Sequence, residues 1–173
     1  PQSGGAISNQ DGYYEIAGLA SGTYSLAASV PDYHDAAREN IAVAAGQTTK
    51  ARLTLVESQA PDIHPVDEHG NALWPFNIDP SQDEKVNIAF RLQDSHEAFN
   101  NQLRVTVEIK SEDKVVASIF QDEPLLAGAE YLKQWDGKDE TGKGLPQGGY
   151  TVYIKVRDDA GNETQGDATV GIW

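Results

Sequence analysis

Two short acidic runs contain the side chains of this sequence that are best suited to chemistry. They consist of Asp136, Asp139 and Glu140, and of Asp158, Asp159 and Glu163. Calcium takes about six to eight oxygen ligands, largely from carboxylates and carbonyls. Neither run has the spacing of an EF-hand loop. Because Asp, Asn and Gly also form turns through side-chain bonds to the backbone, we predict turns without a cofactor, with Ca²⁺ as the alternative.

The remaining residues with catalytic potential do not form a recognisable site. The four histidines are His34, His64, His69 and His96. His64 and His69 are separated by five positions in a proline-containing segment, so they cannot form the helical HExxH zinc motif, and we predict exposed loop histidines. The sequence has neither a G-x-S-x-G elbow nor a phosphate-binding G-x-x-x-x-G-K-[ST] loop. A glycosidase-like carboxylate pair needs a cleft that small sandwiches seldom offer, so no residue is assigned to catalysis and we predict no enzyme.

Aromatic side chains raise the question of a sugar-binding face. Tyr33, Trp74 and Phe76 lie in predicted loops or at predicted strand starts, and we interpret them as hydrophobic plugs. We interpret Trp135 as a core residue, with a sugar-binding platform as the alternative. A row of exposed aromatics that binds polysaccharide is the alternative interpretation.

Charge and composition exclude several classes of partner. The 173 residues include 27 acidic and 13 basic ones, for a net charge of -14, and no Cys. Nucleic-acid affinity comes mainly from Lys and Arg, so we predict no nucleic-acid partner. An acidic chain without a run of about 18 apolar residues is also predicted not to insert into membranes. Without Cys, disulfides and thiolate metal sites are excluded.

The charge is divided unevenly along the chain. Residues 1–56 carry 5 acidic and 3 basic side chains, and residues 57–173 carry 22 and 10. The net charges are therefore -2 and -12. Between the two parts, Pro61 and Pro65 remove backbone donors and favour extended conformations. We predict one module over residues 1–56, a linker over 57–65 and a second module over 66–173.

Alternation of apolar and polar residues predicts strands in both parts. In the first part it covers residues 24–30 and 51–55, and in the second 86–92, 105–109, 115–119 and 150–156. Helical signals are weak: residues 95–101 and 124–132 are long enough only for a turn or short helix, and we expect both segments to cross between sheets. Short strands separated by turn residues predict an all-β fold of two tandem antiparallel β-sandwich modules, Ig-like or transthyretin-like.

The first part resembles the carboxypeptidase regulatory-like module, which is a transthyretin-like sandwich. The resemblance rests on NQDGYYEIAGLASGTYSL at residues 9–26 and on VAAGQTT at residues 43–49. They give the module's D-G-x-aromatic turn, its G-L-x-x-G-x-Y corner and its x-A-G-Q-T strand. Tyr33 matches the aromatic of a short loop. The turn chemistry agrees, since Asp11-Gly12 suits a hairpin and Gly18 a tight crossover.

A complete copy of that module begins with two further strands, for which the residues before Asn9 leave no room. A sheet that lacks strands exposes an unpaired edge, and such edges pair with other strands. We therefore expect the first module to be completed by an upstream segment or by another chain.

The second part resembles the Ig-like domain of the flagellar hook-cap protein and of secreted bacterial enzymes. QWDGKDETGKGLPQGGYTVY at residues 134–153 follows the pattern W-D-G-x-D-x-x-G-x-x-(V/L)-P-x-G-x-Y, and RDDAGN at 157–162 follows the D-x-x-G-N hairpin. The resemblance implies that Trp135 closes a strand on the core and that Pro146 precedes the strand of Tyr150.

Together, the two resemblances imply a non-catalytic structural or protein-binding module pair of a larger secreted or cell-surface bacterial protein. The expected partners are other domains of that protein or a separate protein. The alternatives are a carbohydrate-binding module, with polysaccharide as the partner, and accessory domains of a secreted hydrolase.

Overall fold

The chain divides into two compact units in the computed structural model. Residues Pro1–Ser58 form unit 1 and Gln59–Trp173 form unit 2. The structure describes residues 3–65, 76–94 and 102–173. Within these ranges there is no α-helix, and no helix is long or apolar enough to cross a membrane. The predicted all-β class is confirmed.

Unit 1 contains four strands in two small antiparallel sheets. They are β1 (Gly22–Ala28), β2 (Tyr33–His34), β3 (Ala36–Val43) and β4 (Val56–Glu57). Strand β1 pairs with β3, and β2 pairs with β4. The β1–β3 register shifts between Tyr24 and Leu26, and Asn40 in the same region has a φ of 58°. This is the geometry of a β-bulge, which bends a strand and increases its twist.

Apolar and polar side chains alternate along β1 of unit 1 as expected, but the apolar ones are only half-buried. Tyr24, Leu26 and Ala28 of β1 are half-buried, while the residues between them are exposed. Residues 51–55 show the same alternation without forming a strand. Among the described residues of unit 1, none is fully buried. Two-stranded sheets need further packing for independent stability, so unit 1 has only a partial core.

The described residues of unit 2 form eight strands in two sheets. They are β5 (Asp62–Pro65), β6 (Phe76–Ile78), β7 (Val86–Gln93), β8 (Gln102–Ser111), β9 (Lys114–Leu126), β10 (Glu130–Trp135), β11 (Gly148–Arg157) and β12 (Glu163–Ile172). The sheet orders are β10-β7-β5 and β6-β12-β11-β8-β9. All pairs are antiparallel except β12 with β6, which is parallel. Strand β5 lies within the segment predicted as a linker and pairs with β7.

The core of unit 2 lies between its two sheets. Phe90 and Leu92 of β7 are fully buried, as are Val105 and Val107 of β8 and Val156 of β11. Phe90 also packs edge-on against Phe120 of β9, with ring centroids 6.1 Å apart. Alternating inward side chains from two facing sheets are the packing of a β-sandwich. Unit 2 therefore has the closed apolar interior that unit 1 lacks.

Residues 124–132 cross from the sheet of β9 to the sheet of β10 through a turn, as expected, and contain no helix. Pro124 belongs to the end of β9, an edge strand that tolerates a missing backbone donor. Only residues 127–129 turn, with Gly128 at a φ of 75° and its N–H bonded to the Leu92 carbonyl at 2.8 Å. The hydroxyl of Tyr131 then bridges both backbone groups of Leu126. The similar expectation for residues 95–101 lies outside the described residues.

Candidate functional site

The hairpin after β10 contains the first acidic run and is anchored by Trp135. This side chain is 3% exposed, and its ring packs against Tyr150 at 5.9 Å with an interplanar angle of 66°. Its indole N–H donates to the Lys138 carbonyl at 2.8 Å. The Tyr150 hydroxyl donates to the Pro146 carbonyl at 2.7 Å, and burial raises the pKa of that hydroxyl. Trp135 is thus a core residue that cannot form a sugar platform.

Asp139 organises the middle of this hairpin. Its Oδ1 accepts hydrogen bonds from the Thr141 N–H at 2.9 Å, the Thr141 hydroxyl at 2.6 Å and the Lys143 N–H at 3.0 Å. These bonds favour the charged carboxylate and lower the pKa of Asp139, with the Thr141 hydroxyl contributing most. The backbone closes the same turn, since the Gly142 N–H donates to the Asp139 carbonyl. Asp139 therefore performs the turn chemistry expected of it.

The start of the hairpin carries an ion pair and a tightly packed glycine. Lys138 Nζ lies 2.6 Å from Asp136 Oδ2, and this hydrogen bond is the main reason that the pKa of Asp136 is lowered. Gly137 has a φ of 75°, and a Cβ there would lie 2.8 Å from Cγ of Pro80. Both features hold the chain in one conformation at this corner of the sandwich.

The second acidic run also forms a hairpin, between β11 and β12. Asp158 is 4% exposed and accepts hydrogen bonds from the Asn162 N–H and side-chain amide, both at 2.8 Å. The Asp158 N–H donates to the Asn162 carbonyl at 3.1 Å. Gly161 follows the turn with a φ of 94°. Among the described residues, Asp158 is the charged residue that is buried, and both of its carboxylate oxygens accept hydrogen bonds from its own hairpin.

The other acidic candidates point to separate partners. Glu140 accepts a bond from the Ser118 hydroxyl at 2.9 Å, and Glu163 pairs with Lys155 at 2.8 Å. Asp159 is exposed. Over the described ranges, no three His, Asp or Glu side chains are grouped in a way that could hold a metal ion.

The histidines and loop aromatics do not converge on a site where they are described. His34 and His64 are exposed, and His64 Nε2 lies 3.1 Å from Gln93 Oε1. Tyr33 is half-buried in β2. His69, Trp74 and His96, and the side chain of Phe76, lie outside the described residues.

The described part of unit 2 includes two concave regions of interest. One is a cavity of about 210 Å³ between the sheets, lined by apolar side chains such as Val86, Ile88, Val152 and Ile154. Ligand pockets usually occupy roughly 300 Å³ or more and contain convergent polar groups. The other is an open surface depression beside β9, which includes Ser118, Asp122 and Glu140. Neither region joins a deep cleft to a set of reactive side chains.

The feature that sequence reasoning missed is the uncharged edge of β1. This strand, GTYSLAA, contains neither a charged residue nor a proline, and charges are absent from the whole of residues 16–31. Within the described part of unit 1, its ladder partner is β3 alone. The absence of charge is visible in the sequence. That β1 lies at an edge required the structure.

Comparisons with known proteins agree with the first resemblance. The family model of the carboxypeptidase regulatory-like domain matches residues 1–56. Domains of that family are non-catalytic, Ig-like modules. No curated protein matches the chain. The first part of the chain, residues 1–56, is therefore similar to the carboxypeptidase regulatory-like domain.

Proposed function

We propose that the chain is a non-catalytic structural or protein-binding module pair of a larger secreted or cell-surface bacterial protein. Its partners are other domains of that protein or a separate protein. The family match over residues 1–56 supports the absence of catalysis in the first part.

The hydrogen bonding of the two hairpins is the observation that carries this proposal into the second part. Oδ1 of Asp139 accepts three hydrogen bonds from its own turn, and both carboxylate oxygens of Asp158 accept hydrogen bonds from Asn162. A general acid or base needs reach to a substrate, usually from a cleft. Carboxylates that are occupied in this way shape loops, and shaped loops on a rigid sandwich present surfaces for binding.

We also propose that unit 2 is an Ig-like domain of the hook-cap type. The residues of the W-D-G-x-D pattern have roles that give the pattern a physical reason: Trp135 fills the core, Gly137 packs against Pro80, and Asp139 closes the turn. Each of these positions requires its residue type. The structural roles of these three motif positions support the resemblance at this hairpin.

We propose further that neither hairpin depends on calcium. Oδ1 of Asp139 and both carboxylate oxygens of Asp158 already accept hydrogen bonds within their hairpins, so an ion bound through these atoms would have to replace those bonds. Millimolar CaCl₂ should leave the thermal unfolding temperature unchanged. An increase that saturates with calcium concentration would show a bound ion.

A carbohydrate-binding role would require exposed aromatic side chains in a row. Trp135 is buried, and Tyr153 is covered by Lys110, whose Nζ lies 3.7 Å from the ring centroid. Trp173 is 67% exposed. Titration with a panel of soluble polysaccharides should leave the tryptophan fluorescence unchanged, and a saturable shift would favour this alternative.

The proposed setting is tested by the full gene and the intact cell. We expect the complete reading frame to encode a secretion signal and additional domains, and surface proteolysis of intact cells to remove the epitopes of unit 2. Epitopes that resist the protease until the cells are lysed would contradict the proposal. A matched antibody against a cytosolic protein of the same cells controls for lysis.

A further inference from the structure

Strand β12 pairs with two neighbours in unit 2, and the two pairings differ in direction. It is antiparallel to β11, the strand that precedes it in the chain, and parallel to β6. Among the described strand pairs, β6–β12 is the parallel one. These two strands are the second and the last of the described strands of unit 2, so their pairing joins regions that are far apart in its sequence.

Buried side chains fasten this parallel pair to the core of unit 2. Ile78 and Ile172 are register partners and are both 4% exposed, and Val170 is 1% exposed. The Trp173 N–H donates to the Ile78 carbonyl at 3.1 Å. A Cβ on Gly137 would lie 3.4 Å from Ile172 and 3.5 Å from Ile78, so the hairpin after β10 lies directly on both side chains. One strand therefore cannot slide past the other unless buried apolar side chains leave the core, which is unfavourable.

We propose that unit 2 bears tension along the chain and that the β6–β12 pair, Phe76–Ile78 with Val170–Ile172, is its mechanical clamp. The inference rests on the structural role proposed above and says what that role is. Pro61 is fully buried and directly precedes β5, so tension from the preceding chain reaches unit 2 at its first strands. Tension from the other side reaches β12. Pulling the two sides apart draws β6 back by its first residue and β12 forward by its last.

Parallel strands that are pulled in this way are loaded in shear. The three residue pairs between β6 and β12 then share the load, because the slanted hydrogen bonds of a parallel pair are evenly spaced along it. If the same strands were pulled apart from one end, the first pair would carry the load alone and the pairs would fail in turn. Forced unfolding is governed by the unfolding rate. The direction of pulling therefore sets the resistance, and a module that is stretched from its two ends is pulled in the resistant direction.

Single-molecule force spectroscopy of the full 173-residue chain tests the clamp with two attachment geometries. The sequence has no Cys, so introduced cysteines are unique attachment points. The shear geometry combines Ala60→Cys with a cysteine added after Trp173. The peeling geometry combines Ala60→Cys with Asp159→Cys, in the hairpin before β12, so that β6 and β12 are pulled apart from their first residues. Ala60 and Asp159 are both exposed, so these substitutions should leave the fold unchanged.

The two geometries should differ in the force that they require. At the same loading rate, unit 2 should need roughly two- to threefold more force in shear, because three residue pairs share the load there and one pair carries it in peeling. Each shear event should release roughly 300–400 Å of chain, which identifies it as the unfolding of unit 2. Equal forces in the two geometries would overturn the proposal.

Two conservative substitutions locate the clamp within unit 2. Ile78→Val and Ile109→Val each remove one methylene from a buried isoleucine, on β6 and on β8 respectively. Under a constant shear load, Ile78→Val should raise the unfolding rate roughly 2–10-fold, because its contacts break in the limiting step. Ile109→Val is the matched control and should change the rate by less than about twofold, because its contacts break later. Equal acceleration by both substitutions, or none by Ile78→Val, would overturn the assignment of the clamp to β6 and β12.

These outcomes separate the clamp from the proposed function. Equal forces in shear and in peeling would refute the clamp and leave a non-catalytic structural or protein-binding module. A higher force in shear, found for a protein that is confined to the cytosol, would support the clamp and refute the cell-surface setting.

Discussion

Replacing Trp135 tests whether the W-D-G motif is a structural anchor. The side chain is 3% exposed, packs against Tyr150 and donates a hydrogen bond of 2.8 Å to the Lys138 carbonyl. Truncation of a buried Trp to Ala costs about 3–5 kcal/mol through lost burial and the cavity left behind. Trp135→Phe keeps much of the ring but loses the hydrogen bond, which costs about 1–2 kcal/mol.

These costs translate into measurable shifts of the unfolding temperature. For a unit of the size of residues 59–173, Trp135→Ala should lower the temperature by roughly 10–20 °C and Trp135→Phe by roughly 4–8 °C. Differential scanning calorimetry measures both. Leu132→Ala is the matched control, because Leu132 lies on the same strand but is 53% exposed, and it should change stability by less than about 0.5 kcal/mol.

A small effect of Trp135→Ala, equal to that of Leu132→Ala, would refute the reasoning. It would mean that the ring contributes little to the core of unit 2 and is free for another role. An intermediate value for Trp135→Phe distinguishes the contribution of the hydrogen bond from that of the ring.

Three further experiments, which use five substitutions, test the hairpins. Gly142→Ala should lower the free energy of unfolding by about 1 kcal/mol, because Gly142 has a φ of 82° but open space around it. Gly137→Ala should cost about 1–3 kcal/mol more, because its Cβ would lie 2.8 Å from Pro80. Equal losses of stability for the two variants in chemical denaturation would exclude the steric contact. Asp158→Ala should destabilise unit 2 by about 2–4 kcal/mol, against less than about 0.5 kcal/mol for exposed Asp159→Ala, and equal effects would contradict a structural role for the buried carboxylate. Because the pKa of Asp139 is lowered in the folded chain, its charge stabilises the fold above about pH 4 and this contribution is lost as the pH falls through the folded value. Asp139→Asn should thus be less stable than the original chain at neutral pH, with the two stability curves converging in acid, and parallel curves would contradict the assignment.

Strands β7, β8 and β11 of unit 2 could be predicted from the sequence because buried side chains alternate with less buried ones along much of their length. Apolar and polar residues alternate regularly over residues 86–92 and 150–156. A register shift of one residue would turn the apolar side chains to the solvent, so one register is favoured, and the structure places these residues in β7 and β11. The roles of Trp135 and Asp139 also followed from the motif. Turn chemistry is local, so side-chain bonds within a few residues are visible in the sequence.

Other features depended on contacts that are remote in sequence. Residues 51–55 alternate like a strand, but a strand needs a ladder partner, and alternation does not supply one. The turn at Gly128 is fixed by the Leu92 carbonyl, far away in the chain, so its position could not be predicted from the local sequence. Likewise, the uncharged composition of β1 gains meaning only from its position at a sheet edge.

Amide hydrogen exchange of the chain at low concentration most directly tests whether the core of unit 1 is less complete than the core of unit 2. Peptides from β7, β8 and β11 should be strongly protected, because these strands border the buried core of unit 2. Peptides covering residues 3–58 should exchange much faster, because the described side chains of unit 1 are at best half-buried. Protection of residues 3–58 equal to that of β7 and β8 would contradict an incomplete first core.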